Sequence, residues 1–217
     1  MSPAQVLDVG PLARLIEVEP GGAAAWAAAV RAADLPGVVD IVPAARTVLV
    51  SFLDRAAVAV LTSRLAELDT SAEQWADRLA SSRAVIEIPV RYDGEDLDDV
   101  ARATELDRDE VIARHTASPF RVDFCGFAPG FAYLRGLDEV LWLPRRSTPR
   151  TRVPAGSVAI ANLQTTVYPF ETPGGWSVIG RTPLVLFDPA RDPPSVFSPG
   201  DRVRFVAISR TDYARLK

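Results

Sequence analysis

Apolar and polar residues change their rhythm along this chain, and the changes divide it. Thr47–Phe52 (TVLVSF) alternates residue by residue, and Ala13–Val18 and Val38–Val42 are short β-rich runs, so all three predict strands. Residues 22–33 (GAAAWAAAVRAA) instead place Trp26 and Val30 four apart on one helical face. Pro43-Ala-Ala-Arg46 supplies a turn between two of the strands. Asp54 can cap a helix that continues through Leu68, and Thr70-Ser-Ala-Glu73 has the form of a capping box opening another helix to about Ala80. A βαββαα order predicts a small α+β domain with its helices on one face of a sheet.

The rhythm alters after residue 83. Val85–Tyr92 (VIEIPVRY) alternates and predicts a strand. The acidic stretch Asp93–Asp99 then opens a short helix at Leu97, and Thr104 to Arg114 predicts a second helix with acids early and arginine late, the order that suits its dipole. This helix pair is a poor DNA reader, because Glu105, Asp107, Asp109 and Glu110 would face phosphates. From Phe120 onward short strands alternate with turns. Strands are expected at 121–125, 157–161, 165–168, 178–180, 184–187 and 202–208. Ala128-Pro-Gly130, Pro154-Ala-Gly156, Thr172-Pro-Gly-Gly175 and Ser198-Pro-Gly200 turn between them. That spacing predicts a barrel or sandwich.

Charge sharpens the division. The net charge of −4 averages residues 1–118, with 11 arginines against 20 acids, and residues 119–217, with 13 basic residues against 8 acids. A pI near 5.1 gives no broad footprint for nucleic acid. No apolar run reaches the roughly 18 residues of a membrane span, and the N-terminus has no signal-peptide pattern, so a cytoplasmic protein is expected. One cysteine and one histidine exclude an internal disulfide and a structural zinc. Lys217 is the only lysine, which removes a Walker A loop, an interior Schiff base and a biotinyl lysine.

Several residues remain as candidates for chemistry. His115, the lone imidazole, ends a helix and is either a packing residue or a general base. Cys125 sits in an apolar strand, where a thiol usually packs rather than reacts. In Phe124-Cys-Gly-Phe-Ala-Pro-Gly-Phe, Gly126, Pro129 and Gly130 stiffen a loop bracketed by Phe127 and Phe131, and such a loop can expose N–H groups to an anion. It can equally be a tight turn whose aromatics fill the core. Pro144–Arg152 carries four arginines suited to forked recognition of carboxylate or phosphoryl oxygens, or simply to solvent. Gln164, Thr165, Tyr168 and Pro173-Gly174-Gly175 offer further donors nearby, which makes a small-molecule pocket plausible.

The ordered set Phe124–Leu134, Pro144-Arg-Arg146, Thr148-Pro-Arg150, Val153–Ala161, Gln164-Thr165, Tyr168-Pro, Pro173-Gly-Gly-Trp176, Ile179–Pro183 and Pro199–Val203 resembles the family of the 5-oxoprolinase B subunit. That family is also known as allophanate hydrolase subunit 1 and as kinase A inhibitor-like proteins. The resemblance implies an α+β chain: a small α+β domain over residues 1–82 and a cyclophilin-like β-barrel over 83–217. It implies ATP-dependent opening of the lactam of 5-oxoproline to L-glutamate, by a polypeptide inactive alone. The implied partners are the 5-oxoprolinase A subunit and a barrel protein like the 5-oxoprolinase C subunit (allophanate hydrolase subunit 2), with no nucleic acid and no membrane. ATP with magnesium would act in the complex at a location the resemblance does not assign, and no cofactor is bound covalently. On this basis His115 and Arg150 are expected to be catalytic. Phe127, Pro129, Gly130, Phe131, Arg146, Gln164, Thr165, Tyr168, Pro173, Gly174 and Gly175 are expected to bind substrate. Two other roles stay open in the same family: inhibition of a histidine kinase, and urea or allophanate metabolism of the carboxyltransferase type.

Overall fold

The computed structural model describes residues 5–81 and 84–217. The chain divides into two compact units, Met1–Arg83 and Ala84–Lys217. In the first unit the elements are β1 (Gln5–Asp8), β2 (Ala13–Glu17), α1 (Ala23–Ala32), β3 (Val38–Pro43), β4 (Thr47–Phe52), α2 (Arg55–Ser63) and α3 (Leu65–Ser81). The strands form an antiparallel sheet in the order β1-β2-β4-β3. Val48, Val50 and Phe52 alternate into a core shared with Trp26, Val30, Leu61 and Leu68, as the period of two requires. Asp54 caps α2 by accepting from the Ala57 N–H at 2.9 Å. The expected helix start at Thr70 is not one. The break falls earlier, at Arg64, and α3 runs through Thr70 because Leu68, Ala72, Trp75 and Leu79 form one unbroken apolar stripe.

The second unit comprises β5 (Val85–Val90), α4 (Leu97–Thr104), α5 (Arg108–Ala117), β6 (Phe120–Cys125), β7 (Ala132–Arg135), a 3-10 turn (Glu139–Leu141), β8 (Arg150–Val153), β9 (Ser157–Ala161), β10 (Gln164–Val167), β11 (Thr172–Gly174), β12 (Ser177–Arg181), β13 (Arg202–Ala207) and α6 (Arg210–Leu216). Seven strands make one sheet in the order β12-β9-β10-β7-β6-β13-β5. Its two edges nearly meet, since Arg91, just past β5, and Arg181 of β12 exchange two backbone hydrogen bonds of 2.9 Å. The result is a mixed α and β chain whose second unit is built on a nearly closed, barrel-like sheet. The strand expected at 184–187 does not form. Only Phe187 of that segment bridges, to Ser195, while Leu186 is buried in the core.

Strand β9 is buried along its whole length and explains the layering. Val158 and Ile160 point into the main core with Ile88, Leu97, Val111, Val122, Leu134 and Phe205. Ala159 and Ala161 point the other way, into a second cluster made by Phe131, Tyr168, Trp176 and Val178. Small side chains on that face leave room for large aromatics.

Closure of the sheet depends on a glycine. A Cβ at Gly94 would overlap the Val178 carbonyl and the Ile179 backbone and lie 2.5 Å from the Gly180 nitrogen, whereas one at Gly126 would meet nothing within 4 Å. Gly94→Ala should therefore lose on the order of 1–3 kcal/mol of unfolding free energy, and Gly126→Ala about 0.5 kcal/mol or less. Urea unfolding of the two variants checks the contrast.

Candidate functional site

Asp96 is the organising residue of the loop-bearing face. It occupies the N-cap position of α4 but makes no side-chain cap bond. Its carboxylate, in a residue only 1% exposed, turns instead to meet two arginines and a strand. Oδ1 accepts from Arg146 Nη1 at 2.5 Å and from Arg150 Nη2 at 2.7 Å. Oδ2 accepts from Arg150 Nη1 at 2.8 Å and from the Val178 backbone N–H at 2.7 Å. Arg150 Nε contacts Glu95 at 2.8 Å. These carboxylates hold the Arg150 guanidinium above its ordinary pKa, the hydrogen bond to Asp96 first among the causes and burial opposing it.

Arg146 and Arg150 are thus brought together on one carboxylate. All three Arg150 nitrogens face carboxylates of this same chain, so the fork is not free to take a phosphoryl group or a substrate. The loop is held at both ends: Arg146 N–H donates to the Gly175 carbonyl at 2.7 Å, and β8 pairs with β11 through Arg150–Gly174 and Val153–Thr172. Sequence reasoning missed Asp96, which is one acid among five between Asp93 and Asp99. Its signal was its place immediately before Leu97, the first buried residue of an amphipathic helix.

His115 lies in the core. It is 0% exposed, set between Phe120 and Phe205, with both ring nitrogens engaged. Thr165 Oγ1 donates to the Ala159 carbonyl at 3.0 Å, so His115 Nε2, 3.0 Å from that oxygen, is the donor in their contact. Nδ1 therefore accepts from the Tyr92 hydroxyl at 2.7 Å. Burial depresses the ring pKa to about 3 and raises that of Tyr92. A neutral imidazole sealed in the core does not exchange protons with a substrate, and Thr165 is sealed with it. Cys125 is likewise a thiol rather than a nucleophile, its pKa pushed up to about 11 by burial and by Asp201.

Several of the aromatic residues pack together. Phe131 meets Tyr133, Tyr168 and Trp176 edge-on, with centroids 5.0, 5.3 and 6.2 Å away, and Tyr133 meets Trp176 at 5.8 Å. Gly174 has no Cβ because the Tyr168 hydroxyl occupies that space. Gly175 packs near Pro149, and Pro173 is exposed. Phe127 sits at the rim, 67% exposed, 5.3 Å from Phe131. Its φ of +75° is an uncommon conformation for a bulky residue. Pro129 lies in the same turn, and Gly130, at φ +76°, abuts Phe187. The N–H of Gly126 is already used, donating to the Phe131 carbonyl at 3.0 Å. Gln164 stands apart, paired with Arg135 across β10 and β7. Arg145, Tyr133 and Trp176 were not among the expected ligands, yet Arg145 lies over the Trp176 ring at 5.9 Å.

Among the described residues no three His, Cys, Asp or Glu side chains gather as a metal site, and no helix is long and apolar enough to cross a membrane.

Residues 12–197 match the family model described as carboxyltransferase domain, subdomain C and D. The chain is 40% identical over 89% of its length to the 5-oxoprolinase B subunit of Bacillus subtilis, covering 85% of that protein. It is 41% identical to the 5-oxoprolinase B subunit of Escherichia coli O157:H7, with 95% and 97% of the two chains covered. A solved structure, TTHA0988, superposes with a TM-score of 0.75 at 36% identity over 91% of this chain, which spans 40% of that longer protein. The K. lactis urea amidolyase structure gives a TM-score of 0.69 at 17% identity, over 98% of this chain and 15% of that one, a likeness of fold alone.

Two stability measurements test the site's architecture. Arg150→Ala strands part of a buried charge and should cost about 3 kcal/mol, and the pair Asp96→Asn/Arg150→Ala should cost less than the sum of its members. For His115, the folded pKa lies below the unfolded value of about 6.5, so the unfolded chain takes up the proton first as pH falls. Its contribution is complete above about pH 6.5 and is lost at about 1.4 kcal/mol per pH unit towards pH 3. The stability difference between wild type and His115→Gln should accordingly narrow between pH 7 and pH 4 in denaturant titrations.

Proposed function

The chain belongs to the carboxyltransferase subdomain C and D family and, within it, to the 5-oxoprolinase B-subunit proteins, and on that footing we propose that it is part of an enzyme that opens the lactam of 5-oxoproline to L-glutamate. The observation that carries this reading is identity of about 40% with two B-subunit proteins over most of both chains.

Chemically, the reaction adds water to the lactam carbonyl and breaks its C–N bond, leaving a second carboxylate and a free amine. A lactam carbonyl is a poor electrophile, and phosphorylation of its oxygen by ATP would make a better one. The arginine loop does not fit a triphosphate, because Arg146 and Arg150 are committed to Asp96 and Glu95 and Arg152 to Glu171. We therefore assign no nucleotide step to this chain and place ATP use elsewhere in the complex, with the A and C subunits of 5-oxoprolinase as the working partners.

Co-expression with those two partners, followed by glutamate release from 5-oxoproline with and without ATP, tests the reading. ATP-dependent release by the assembled complex, and none by this chain alone, is the expected outcome. No release from a well-folded complex would overturn it.

A further inference from the structure

Strand pairing sets three arginines side by side. Arg202 of β13 lies directly opposite Arg121 of β6, and Arg121 lies opposite Arg135 of β7. Gln164 of β10 continues the row beyond Arg135. Their chain neighbours Phe120, Val122, Leu134 and Val203 fill the barrel core, so the alternation of a strand turns the arginines to the outer face of the sheet. Like charges directly opposite each other are destabilising. The effect registers on the middle residue: burial first, then the charges of Arg135 and Arg202, lower the pKa of Arg121.

The chain answers this charge only in part. The side chain of Asp123 is 8% exposed, yet its Oδ1 stops 3.6 Å from Arg135 Nε, and neither atom makes a hydrogen bond. Asp201, next to Arg202 in the chain, accepts from the Ser198 N–H at 2.7 Å. Arg121 reaches the Gly200 carbonyl at 3.4 Å. Arg202 is exposed and, among the described residues, makes no hydrogen bond or ion pair, whereas Arg204, two residues along the same face, pairs with Glu87. The guanidiniums at the two ends of the row, Arg135 and Arg202, are thus open to a further acceptor.

Neighbouring strands lie about 4.7–4.9 Å apart, and residues three or four apart on one face of a helix stand about 5–6 Å apart. Acids at that helical spacing match the row, and each can meet a guanidinium through two parallel N–H···O bonds. Resting on the reading above, in which this chain works as one subunit of a complex, we propose that the Arg202–Arg121–Arg135 row docks an acidic helix of a partner subunit. Charge steers such a contact, and salt weakens it.

The test pairs the full chain with the A and C subunits of 5-oxoprolinase and compares wild type with Arg135→Glu/Arg202→Glu and with the milder Arg135→Ala/Arg202→Ala. Melting temperature checks folding. Affinity for a partner, measured by biolayer interferometry, should fall at least tenfold in the charge reversal and less in the alanine pair. Raising salt from about 0.05 M to about 0.5 M should weaken wild type more than either variant. Glutamate release should drop in the variants at low partner concentration and recover at high concentration, since the row joins subunits and does not act on substrate. Unchanged affinity for both partners in the charge reversal would overturn the proposal while leaving the enzymatic reading intact. Loss of self-association by the chain alone, or of its binding to inorganic pyrophosphate, with partner affinity intact would also overturn it, giving the row to a second copy or to a small anion. A wild-type complex that assembles but releases no glutamate fails the enzymatic reading, and the affinities still decide the row. No assembly with either partner would overturn both.

Discussion

A single buried carboxylate holds the second unit together. Taking Asp96 out of water costs several kcal/mol unless its lone pairs are fully met, and four hydrogen bonds from three residues meet them. The donors come from separate stretches of chain: the arginine loop contributes Arg146 and Arg150, and β12 contributes Val178. Satisfying one charge therefore draws the segment after β5, the arginine loop and the far edge of the sheet to one point. The Arg91–Arg181 bridge and the close approach of Gly94 lie a few residues away, so closure of the sheet and ordering of the loop share an anchor.

That arrangement divides the work among residues that look alike in sequence. Four arginines in one loop suggest a single anion-binding patch, but Arg146 and Arg150 turn to buried Asp96, Arg152 pairs with Glu171 at the surface, and Arg145 lies over Trp176. The aromatic residues divide similarly. Phe120 and Phe205 belong to the interior around His115, while Phe131, Tyr168 and Trp176 lie on the opposite face, where Ala159 and Ala161 give them room. Neutral His115, donating through Nε2 and accepting through Nδ1, stitches α5 to β10 and to the end of β5.

The helices and most long strands were legible because their apolar spacing is local: Trp26 and Val30, or Val48 and Val50, declare themselves within one turn or one pleat. Asp54 was legible as a cap for the same reason. The four-residue strands β1, β7 and β8 were not, since pieces so short carry too few residues to show an alternation. The motif-bearing loops were found as a group from their Gly, Pro and Arg content. Roles within the group were not readable, because whether Arg150 or Arg145 is free depends on where Asp96 lies, some fifty residues earlier. His115 misled for a related reason, as nothing near it in sequence announces the Tyr92 and Thr165 that enclose it.

Asp96 and its partner Val178 stand 82 residues apart. On a ribosome adding about 5–20 residues per second, Asp96 is made roughly 4–16 seconds before the strand it must join. Strand β5 waits longer still, because its neighbour β13 is the last of the described strands to be synthesised. The counter-charges of Asp96 come sooner, Arg146 and Arg150 following it by 50 and 54 residues, but the edge of β5 stays open until β13 is made. Charged side chains beside an unpaired strand edge discourage its pairing with another chain, and five acids lie between Asp93 and Asp99, just past β5.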